Sequence, residues 1–539
     1  MKVDLTAEQK DYALFLPATS GFYAAFIGYQ RKRFPYIEPS RLPTSFTNDV
    51  ESINYLDPKS PLLYYKWCLY SAGHANLDLN KQDDREEMFR TRPRNGDSFV
   101  LGDSGGFQIG KGKWPGDWKD PNCPAAAKKR KQVLTWMDAL MDYGMCLDIP
   151  AWVARSPAGA KATGISTYQE AVAATRINND YWMKHRTGAC KFLNVLQGEN
   201  FDDAEDWYEQ MKDYCDPVKY PDNHFNGWSM GGQNMCDVEL VLKRIVTLHY
   251  DNLLQSGVHD VMHFLGTSKL EWATLLTDVQ RAVRKHYNPT FMVTFDCASP
   301  FLATANGQIY TSNETPENGK WTYRMLPSVD ELKYATDTRT FKDATTQDGI
   351  FKVFEDSPLT AGLLINDICT YKKGDRNKIG TPKVNAGEVE LDKNDQPVLD
   401  DNDNPIVRKK DSTSWDSFSY AIQMGHNVWT HINAVQEANR QYDAGVIPKM
   451  LKGDKFQVHT IRDMINEVFE QPTKELSLAK IIEYRSYWMQ VPGTRGAIGK
   501  KTISAKPMFD KLFDVKETKD TDEKELDETK LEELEDEQL

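Results

Sequence analysis

Eight short apolar runs, separated by polar and amphipathic segments, divide the first 300 residues of the chain. They are ALFLPAT from residue 13, LLYYKW from 62, SFVLGDS from 98, YGMCLDIP from 143, KFLNVLQG from 191, FNGWSMGG from 225, DVMHFLGT from 260 and FMVTFDCA from 291. Most of them end in Gly, Asp, Gln, Ser or Thr. Runs of this length are typical of strands that are buried on both faces of a parallel sheet.

Segments of helical length lie between several of these runs. In residues 269–287 the apolar positions 272, 275, 276, 279 and 283 form one helical stripe. Positions 133, 136, 137, 140 and 141 form another. Strands that alternate with helices predict an α/β protein, and eight of them predict a (β/α)8 TIM barrel with C-terminal additions. The polar ends of the strands then form its mouth, where such barrels hold their active sites.

The pattern changes after residue 300 and predicts four regions. Residues 1–320 form the barrel, which is the catalytic domain. Residues 321–450 complete the barrel and contain an inserted polar hairpin arm at about 385–410 and a helix over 419–445. Residues 451–514 form a mixed, partly helical extension. Residues 515–539 hold 12 acidic and 4 basic side chains, so this disordered tail carries most of the net charge of −13.

Composition favours a globular cytoplasmic protein. No apolar stretch is long enough to span a bilayer, so no membrane association is expected, and the first residues lack the pattern of a signal peptide. The eight cysteines lie far apart without a CxxC pair, which favours free thiols over disulfides.

Two strand-end carboxylates dominate the candidate chemistry. Asp103 ends the third run and Asp296 lies at the end of the eighth. Two carboxyl groups that face one pocket suit displacement at an anomeric carbon, where one attacks and the other transfers a proton. Asp148 and Gln197, at two further strand ends, could bind the donor and acceptor edge of a purine. Glycines such as Gly231 and Gly232 would let a flat ring approach the backbone.

Six motifs in these runs resemble, in order, those of the guanine transglycosylases. They are DSGGFQ at 103–108, LDIP at 147–150, VLQG at 195–198, SMGG at 229–232, HFLGT at 263–267 and TFDC at 294–297. The similarity covers roughly residues 10–315 and recurs weakly at GHNVWTHINAVQEANRQYDAG. Members of this family exchange guanine in a nucleic acid for a 7-deazaguanine.

The resemblance implies a role for each matching residue. Asp296 would be the nucleophile that forms a covalent glycosyl–enzyme intermediate, and Asp103 would be the general acid and base. Other residues would form the base pocket, with Phe107 stacked on the base and Leu265 and Gly266 closing the pocket. The residues that would hold the base are Ser104, Asp148, Gln197, Gly231 and Gly232.

Departures from the family pattern favour DNA over tRNA as the substrate. Members that act on tRNA usually bind a structural zinc through CxCxxC and a distant His. Here His426 matches that His, but Cys369 is the only cysteine between Asp296 and His426. The zinc site is therefore either lost or rebuilt with other side chains. Ligand count favours its loss, with His426 a structural helix histidine, so no cofactor or metal is expected. Phe301 also stands where the family has arginine.

A barrel without this zinc element resembles the phage and bacterial DNA transglycosylases, which place 7-deazaguanines such as the 7-cyano form in DNA and so protect it from restriction. The target guanine would have to leave the duplex stack. Basic residues near the mouth are then candidates for phosphate contacts. They are Lys111, Lys113, Lys128, Lys129, Arg130 and Lys131.

Other functions remain open on the sequence. The nearest alternative is the same exchange on tRNA. A retaining glycoside hydrolase also uses a barrel with two carboxylates, although the mouth motifs here lack aromatic sugar platforms. A third alternative is a partner subunit that has lost the reaction. The sequence also leaves open whether the chain forms a homodimer.

Overall fold

The structure of the protein is a computed structural model. It describes residues 3–6, 11–28, 43, 50–80, 87–90, 92, 96–314, 321–328, 332–344, 350–368, 396, 399, 417–453 and 459–496.

Twelve strands are present in the described residues. They are β1 (Val3–Asp4), β2 (Leu14–Pro17), β3 (Leu63–Tyr64), β4 (Trp67–Ser71), β5 (Phe99–Asp103), β6 (Tyr143–Met145), β7 (Lys191–Leu196), β8 (Gly227–Met230), β9 (Val261–Phe264), β10 (Met292–Cys297), β11 (Gln308–Glu314) and β12 (Thr322–Pro327).

Sixteen α-helices accompany these strands in the same residues. They are α1 (Gly21–Gly28), α2 (Glu87–Arg90), α3 (Gly106–Gly110), α4 (Pro124–Leu140), α5 (Pro157–Thr163), α6 (Tyr168–His185), α7 (Phe201–Met211), α8 (Val238–Tyr250), α9 (Leu270–His286), α10 (Ser299–Ala305), α11 (Ile350–Asp356), α12 (Ile365–Ile368), α13 (Ser417–Asp443), α14 (Ile461–Phe469), α15 (Lys474–Glu483) and α16 (Arg485–Trp488).

Eight parallel strands form the central sheet, in the order β2-β10-β9-β8-β7-β6-β5-β4. Its two edges meet at a parallel bridge between Ala18 and Leu69, where the Thr19 N–H donates to the Leu69 carbonyl at 2.9 Å. The sheet is therefore a nearly closed barrel with helices between the strands. The predicted (β/α)8 TIM barrel with C-terminal additions is confirmed.

Burial explains why these sequences form strands and outer helices. Every residue of β2 and β8 is buried, as expected for strands covered on both faces. Helix α9 buries the predicted stripe of Trp272, Leu275, Leu276, Val279 and Val283 against the barrel. In α4 the stripe at 133, 136 and 137 is likewise buried. Helical periodicity thus located the face of each helix that packs on the sheet.

One apolar run does not coincide with its barrel strand. LLYYKW, from residue 62, contains β3, which pairs with β1 outside the barrel. The barrel strand β4 begins only at Trp67, the last residue of that run, and continues through Ser71. Both segments are apolar and buried, so hydrophobicity alone did not separate them.

The C-terminal additions pack directly on the barrel. β11 and β12 form an antiparallel hairpin, and the boundary expected at residue 320 falls within it. The predicted helix over 419–445 is observed as α13, and Gly445 follows it with a φ of 93°. α13 packs on α9 and α10, and the extension helices α14 and α15 pack on α9 and α8. The polar arm at 385–410, apart from residues 396 and 399, and the acidic tail lie outside the described residues.

Within the described part of the chain, no helix combines the length and the apolar character needed to cross a bilayer.

Candidate active site

The polar residues that follow the barrel strands lie together at one end of the barrel. Asp103 is the last residue of β5, and Asp296 is the last but one of β10. Because all eight strands are parallel, their C-terminal ends form a single mouth. The structure therefore brings together the strand-end residues predicted as a site. The others are Ser104, Asp148, Gln197, Gly231, Gly232, Leu265 and Gly266.

Asp103 occupies a poorly solvated position close to a second carboxylate. The Ser71 hydroxyl, directly opposite on β4, donates to Asp103 Oδ2 at 2.5 Å. Burial raises the pKa of Asp103, and the charge of Asp296 raises it further, while Ser71 and the Gly105 N–H oppose the rise. A carboxyl group with a raised pKa can hold a proton and donate it to a leaving group.

Asp296 is held by two donors on the same oxygen. Its Oδ1 lies 3.1 Å from His263 Nε2 and 2.9 Å from the Gly266 backbone N–H. His263 Nδ1 lies 2.9 Å from the Thr294 hydroxyl, so the imidazole is fixed at both nitrogens. A carboxylate can only accept, which makes His263 Nε2 the donor and Nδ1 the acceptor from Thr294. This arrangement fixes the carboxylate through Oδ1 and leaves Oδ2 for a substrate.

Asp148 and Gln197 form a buried polar pair at the ends of β6 and β7. Gln197 Nε2 donates to Asp148 Oδ2 at 2.7 Å, and both side chains are buried. Burial raises the pKa of Asp148 to about 7, and the Asp103 charge adds to the rise, which the Gln197 hydrogen bond opposes. The pair offers one carboxyl oxygen and one amide oxygen as further acceptors, which suits a ligand that donates from a ring edge.

Glycines let two strand-end loops approach each other closely. Gly232 has a φ of 56°, and a Cβ there would lie 2.3 Å from the Gly198 carbonyl oxygen. A Cβ on Gly231 would lie 2.9 Å from Gln197 Nε2. The clash at Gly232 is with backbone, so glycine is required there, whereas at Gly231 the end of the Gln197 side chain would have to shift.

Phe107 lies in α3, the short helix that follows β5. It is partly exposed, its ring centroid is 6.2 Å from that of Trp152, and Lys111 Nζ lies 5.2 Å from its ring. Ser104, by contrast, is buried at the end of β5. Phe107 is thus partly accessible to a ligand.

Leu265 and Gly266 follow β9. The Leu265 N–H donates to the Met230 carbonyl at 3.2 Å, which joins the ends of β8 and β9. The Gly266 N–H is already used by Asp296. Gly266 therefore supports the carboxylate in addition to any contact with a base.

The predicted phosphate-binding residues differ in exposure. Four are exposed, namely Lys111, Lys113, Lys128 and Lys131. Lys129 is partly buried, with Nζ 4.8 Å from the Trp114 ring, and a Cβ on Gly105 would meet that same ring. Lys129 therefore lies beside the turn at Gly105 that follows β5. Lys131 lines a groove between α4 and α6 on the outside of the barrel.

Arg130 does not belong with the exposed cations. It is 4% exposed, Nη2 donates to Asn122 at 3.0 Å, and its guanidinium stacks 4.3 Å from the Tyr181 ring. Burial lowers its pKa. The expectation that Arg130 contacts phosphate is therefore wrong, because its side chain packs between α4 and α6.

His426 lies in the core of the additions. Its Nε2 donates to the Tyr310 carbonyl at 2.9 Å, and the ring makes an edge contact with Phe354. Burial lowers the pKa of His426 to about 4. No cluster of three or more His, Cys, Asp or Glu side chains that could hold a metal is found in the described residues, and Cys369 lies outside them. The described residues around His426 do not fit a tetrahedral zinc.

Phe301, which stands where the resemblance has arginine, is fully buried in α10 and packs edge-on against Tyr23. At this position the chain has an apolar core contact instead of a cation.

Three residues of the site were not predicted from the sequence. Ser71, His263 and Thr294 all contact the two carboxylates or their support. A signal was available for Thr294, because it lies two residues before Asp296 and so faces the same side of β10. His263 lies directly opposite Thr294 in the sheet register, which the sequence does not contain.

The fold does not specify a reaction, because TIM barrels support many chemistries. No protein-family model matches the chain, and no curated protein matches it. The reaction must therefore be inferred from the side chains at the mouth.

Proposed function

We propose that the protein is a guanine transglycosylase that exchanges guanine in DNA for a 7-deazaguanine base. The observation that carries this proposal is the relationship between Asp103 and Asp296. Two carboxyl groups at one mouth are close enough for the charge of one to raise the pKa of the other, and only Asp296 accepts both an imidazole and a backbone N–H. The raised pKa suits Asp103 to hold a proton and act as the acid, and the two donors suit Asp296 to stay ionised and act as the nucleophile.

The first half-reaction removes guanine. Asp296 Oδ2 attacks C1′ of the target nucleoside, the glycosidic bond breaks, and Asp103 transfers its proton to the departing guanine. His263 and the Gly266 N–H hold the other oxygen of Asp296, which restricts the carboxylate to one orientation.

The second half-reaction reverses these roles. The incoming 7-deazaguanine gives its N9 proton to Asp103, and N9 attacks C1′ and releases Asp296. Two displacements on one carbon retain the configuration at C1′, and no external cofactor is needed for the balance of atoms or electrons.

Recognition of the base is the task of Asp148 and Gln197. A guanine ring edge carries N–H groups, from which an ionised Asp148 can accept hydrogen bonds. Phe107, which is partly exposed, offers a surface for stacking, and the loops at Gly198 and Gly232 approach each other with no side chain between them.

The test is incubation of the purified protein with guanine-containing DNA, tRNA and radiolabelled 7-deazaguanine bases. Label retained in DNA is expected for the wild type. It should be lost in Asp296→Ala, and a denaturation-resistant protein–DNA adduct should be lost with it. Asp222→Ala, which removes an exposed carboxylate elsewhere, is the matched control and should leave both signals unchanged.

Three results would contradict the proposal. Label in tRNA alone would favour the tRNA reaction, and release of reducing sugar would favour a glycoside hydrolase. Equal incorporation by Asp296→Ala and the wild type would exclude Asp296 as the nucleophile.

A further inference from the structure

The C-terminal extension reaches the barrel mouth at a tightly bound segment, Gly493–Gly496. The backbone N–H groups of Arg495 and Gly496 both donate to Asp237 Oδ2 at 2.8 Å. The Thr494 hydroxyl accepts from the Val238 N–H at 3.1 Å. Asp237 and Val238 begin α8, which follows the loop containing Gly231 and Gly232. The segment is therefore attached to the wall of the candidate base pocket.

Glycine at both ends of the segment makes this fit close. Gly493 has a φ of 98°, and a Cβ there would lie 2.7 Å from the Cys236 carbonyl oxygen. Gly496 has a φ of 60°, and a Cβ there would lie 2.2 Å from Glu239 Oε2. The backbone on either side of Arg495 thus has little freedom to move.

Arg495 is partly exposed, and one nitrogen of its guanidinium lacks a partner within the described part of the chain. Among the described residues its Nη1 is buried without a hydrogen-bond partner. Its positive charge is close enough to the Cys236 thiol to oppose the rise in the pKa of that thiol that burial causes. The Cys236 Sγ lies 3.9 Å from the Gly232 carbonyl oxygen. The backbone of Arg495 is therefore held rigidly beside the loop that contains Gly231 and Gly232, and its Nη1 has unused hydrogen-bonding capacity.

We propose that Arg495 binds a backbone phosphate of the DNA strand whose guanine occupies the pocket. The identity of the polymer rests on the proposed function, whereas the site itself rests on the geometry of the segment. A guanidinium presents several N–H donors in a planar fork that matches a phosphate group. Held next to the loop at Gly231 and Gly232, it can contact the strand that enters the mouth. The extension would then supply a nucleic-acid contact about 200 residues after Asp296 in the chain.

The experiment measures binding of a guanine-containing single-stranded DNA by fluorescence anisotropy over a series of salt concentrations. The full-length wild type is compared with Arg495→Ala, Arg495→Gln and Arg495→Lys. Lys285→Ala removes one exposed positive charge near the end of α9, on the face of the barrel opposite the mouth, and is the charge-matched control. The contacts that fix the segment use backbone atoms and Thr494, so the Arg495 variants should keep the wild-type melting temperature.

Loss of one phosphate contact should lower the magnitude of the slope of log K against log salt by about 0.7 for a single strand. We expect this change in Arg495→Ala and Arg495→Gln but not in Lys285→Ala. Arg495→Lys should retain the slope with weaker binding, because it keeps the charge without the fork.

Equal slopes for Arg495→Ala and Lys285→Ala would overturn the inference, as would a wild type that binds no DNA. Binding confined to a matched RNA would overturn the assignment to DNA. Base exchange, measured in parallel, separates the two proposals. Exchange without an effect of Arg495 on binding refutes the phosphate site alone, and Arg495-dependent binding without exchange refutes the transglycosylase alone.

Discussion

His263 and Asp296 are joined across neighbouring strands of the barrel, with His263 Nε2 3.1 Å from Asp296 Oδ1. The Thr294 hydroxyl fixes the other nitrogen of the ring. The candidate nucleophile is therefore oriented by a buried histidine whose two ring nitrogens bond Asp296 and Thr294. Its role is to position the carboxylate, since it acts through Asp296 and need not touch the substrate.

His263→Ala should lower kcat about 10- to 100-fold and leave KM for the base nearly unchanged. The loss corresponds to a hydrogen bond to a charged group, and it affects the displacement step rather than base recognition. His263→Gln, which can donate from its amide nitrogen, should recover part of the rate. Steady-state base exchange and covalent-adduct yield measure the effect.

The control for this prediction is His259→Gln. His259 is also buried, but its Nε2 lies 2.8 Å from the Cys215 carbonyl at the opposite end of the barrel. A similar fall in kcat in both variants, or a rise in KM alone in His263→Ala, would argue for a merely structural histidine.

The free energy of unfolding of Asp148→Asn, relative to that of the wild type, should increase as pH rises from 5 to 8. Burial raises the pKa of Asp148 from 3.8 to about 7, so between these values the folded protein holds a proton that the unfolded chain has lost. The resulting stabilisation of the wild type is present at low pH and is lost as pH rises through about 7. Each unit of pKa difference corresponds to about 1.4 kcal/mol, so the relative change is roughly a few kcal/mol.

Thermal denaturation at several pH values measures this difference, with Asp222→Asn as a control for an exposed carboxylate. Asp148→Asn should also lose base binding at pH 8, because an amide is a weaker acceptor than an ionised carboxylate and its NH2 group cannot accept from a guanine N–H. A constant difference in melting temperature from pH 5 to 8 would show that Asp148 stays ionised in the folded protein.

The barrel could be predicted because strands buried on both faces give continuous apolar runs, and parallel strands carry their polar residues to one end. The same pattern located Asp103, Asp148, Gln197 and Asp296. The pattern of apolar runs does not show which residues of neighbouring strands lie opposite each other. Ser71 faces Asp103 only because β4 pairs with β5 at that offset, and similar side chains elsewhere in the chain give no such signal.

Arg130 shows how a charge cluster can mislead. It lies three residues before Val133 and seven before Met137, so it falls on the apolar stripe of α4. The helical period predicts that Arg130 is buried, whereas the neighbouring lysines suggest that it lies on a solvated surface. Periodicity was correct, because the position of a residue around a helix decides whether it faces the sheet.

Arg462→Met should destabilise the protein by about 3 kcal/mol at pH 8 and by less at pH 5. Arg462 Nε donates to Asp278 Oδ1 at 2.6 Å, and the Asp278 side chain is only 1% exposed. The variant leaves a buried carboxylate with Tyr442 as its remaining donor, and the expected loss lies at the lower end for buried pairs because Arg462 is one-third exposed. Urea unfolding at both pH values measures the loss.

The pH dependence of this loss follows from the pKa of Asp278. Burial raises it to about 6 and Arg462 opposes the rise, so removal of Arg462 should raise it further. At pH 5 the carboxyl can then take up a proton and avoid the buried charge. The double variant Arg462→Met with Asp278→Asn should therefore lose less stability at pH 8 than Arg462→Met alone. Equal losses at both pH values would show that Asp278 is not the source of the penalty.

Gly232→Ala should lower the melting temperature more than Gly257→Ala and should also raise KM for the base. Both glycines have positive φ, 56° and 81°, so each substitution carries a backbone cost of roughly 1–2 kcal/mol. At Gly257 the new Cβ meets nothing within 4 Å, whereas at Gly232 it lies 2.3 Å from the Gly198 carbonyl oxygen. Gly198 is itself closely packed, since a Cβ there would lie 2.5 Å from the Ala204 backbone nitrogen in α7. The clash must then separate the two loops that flank Gln197, and the base pocket widens. Equal melting temperatures for the two variants, with unchanged KM, would mean that the loops tolerate this separation and that their close approach does not shape the pocket.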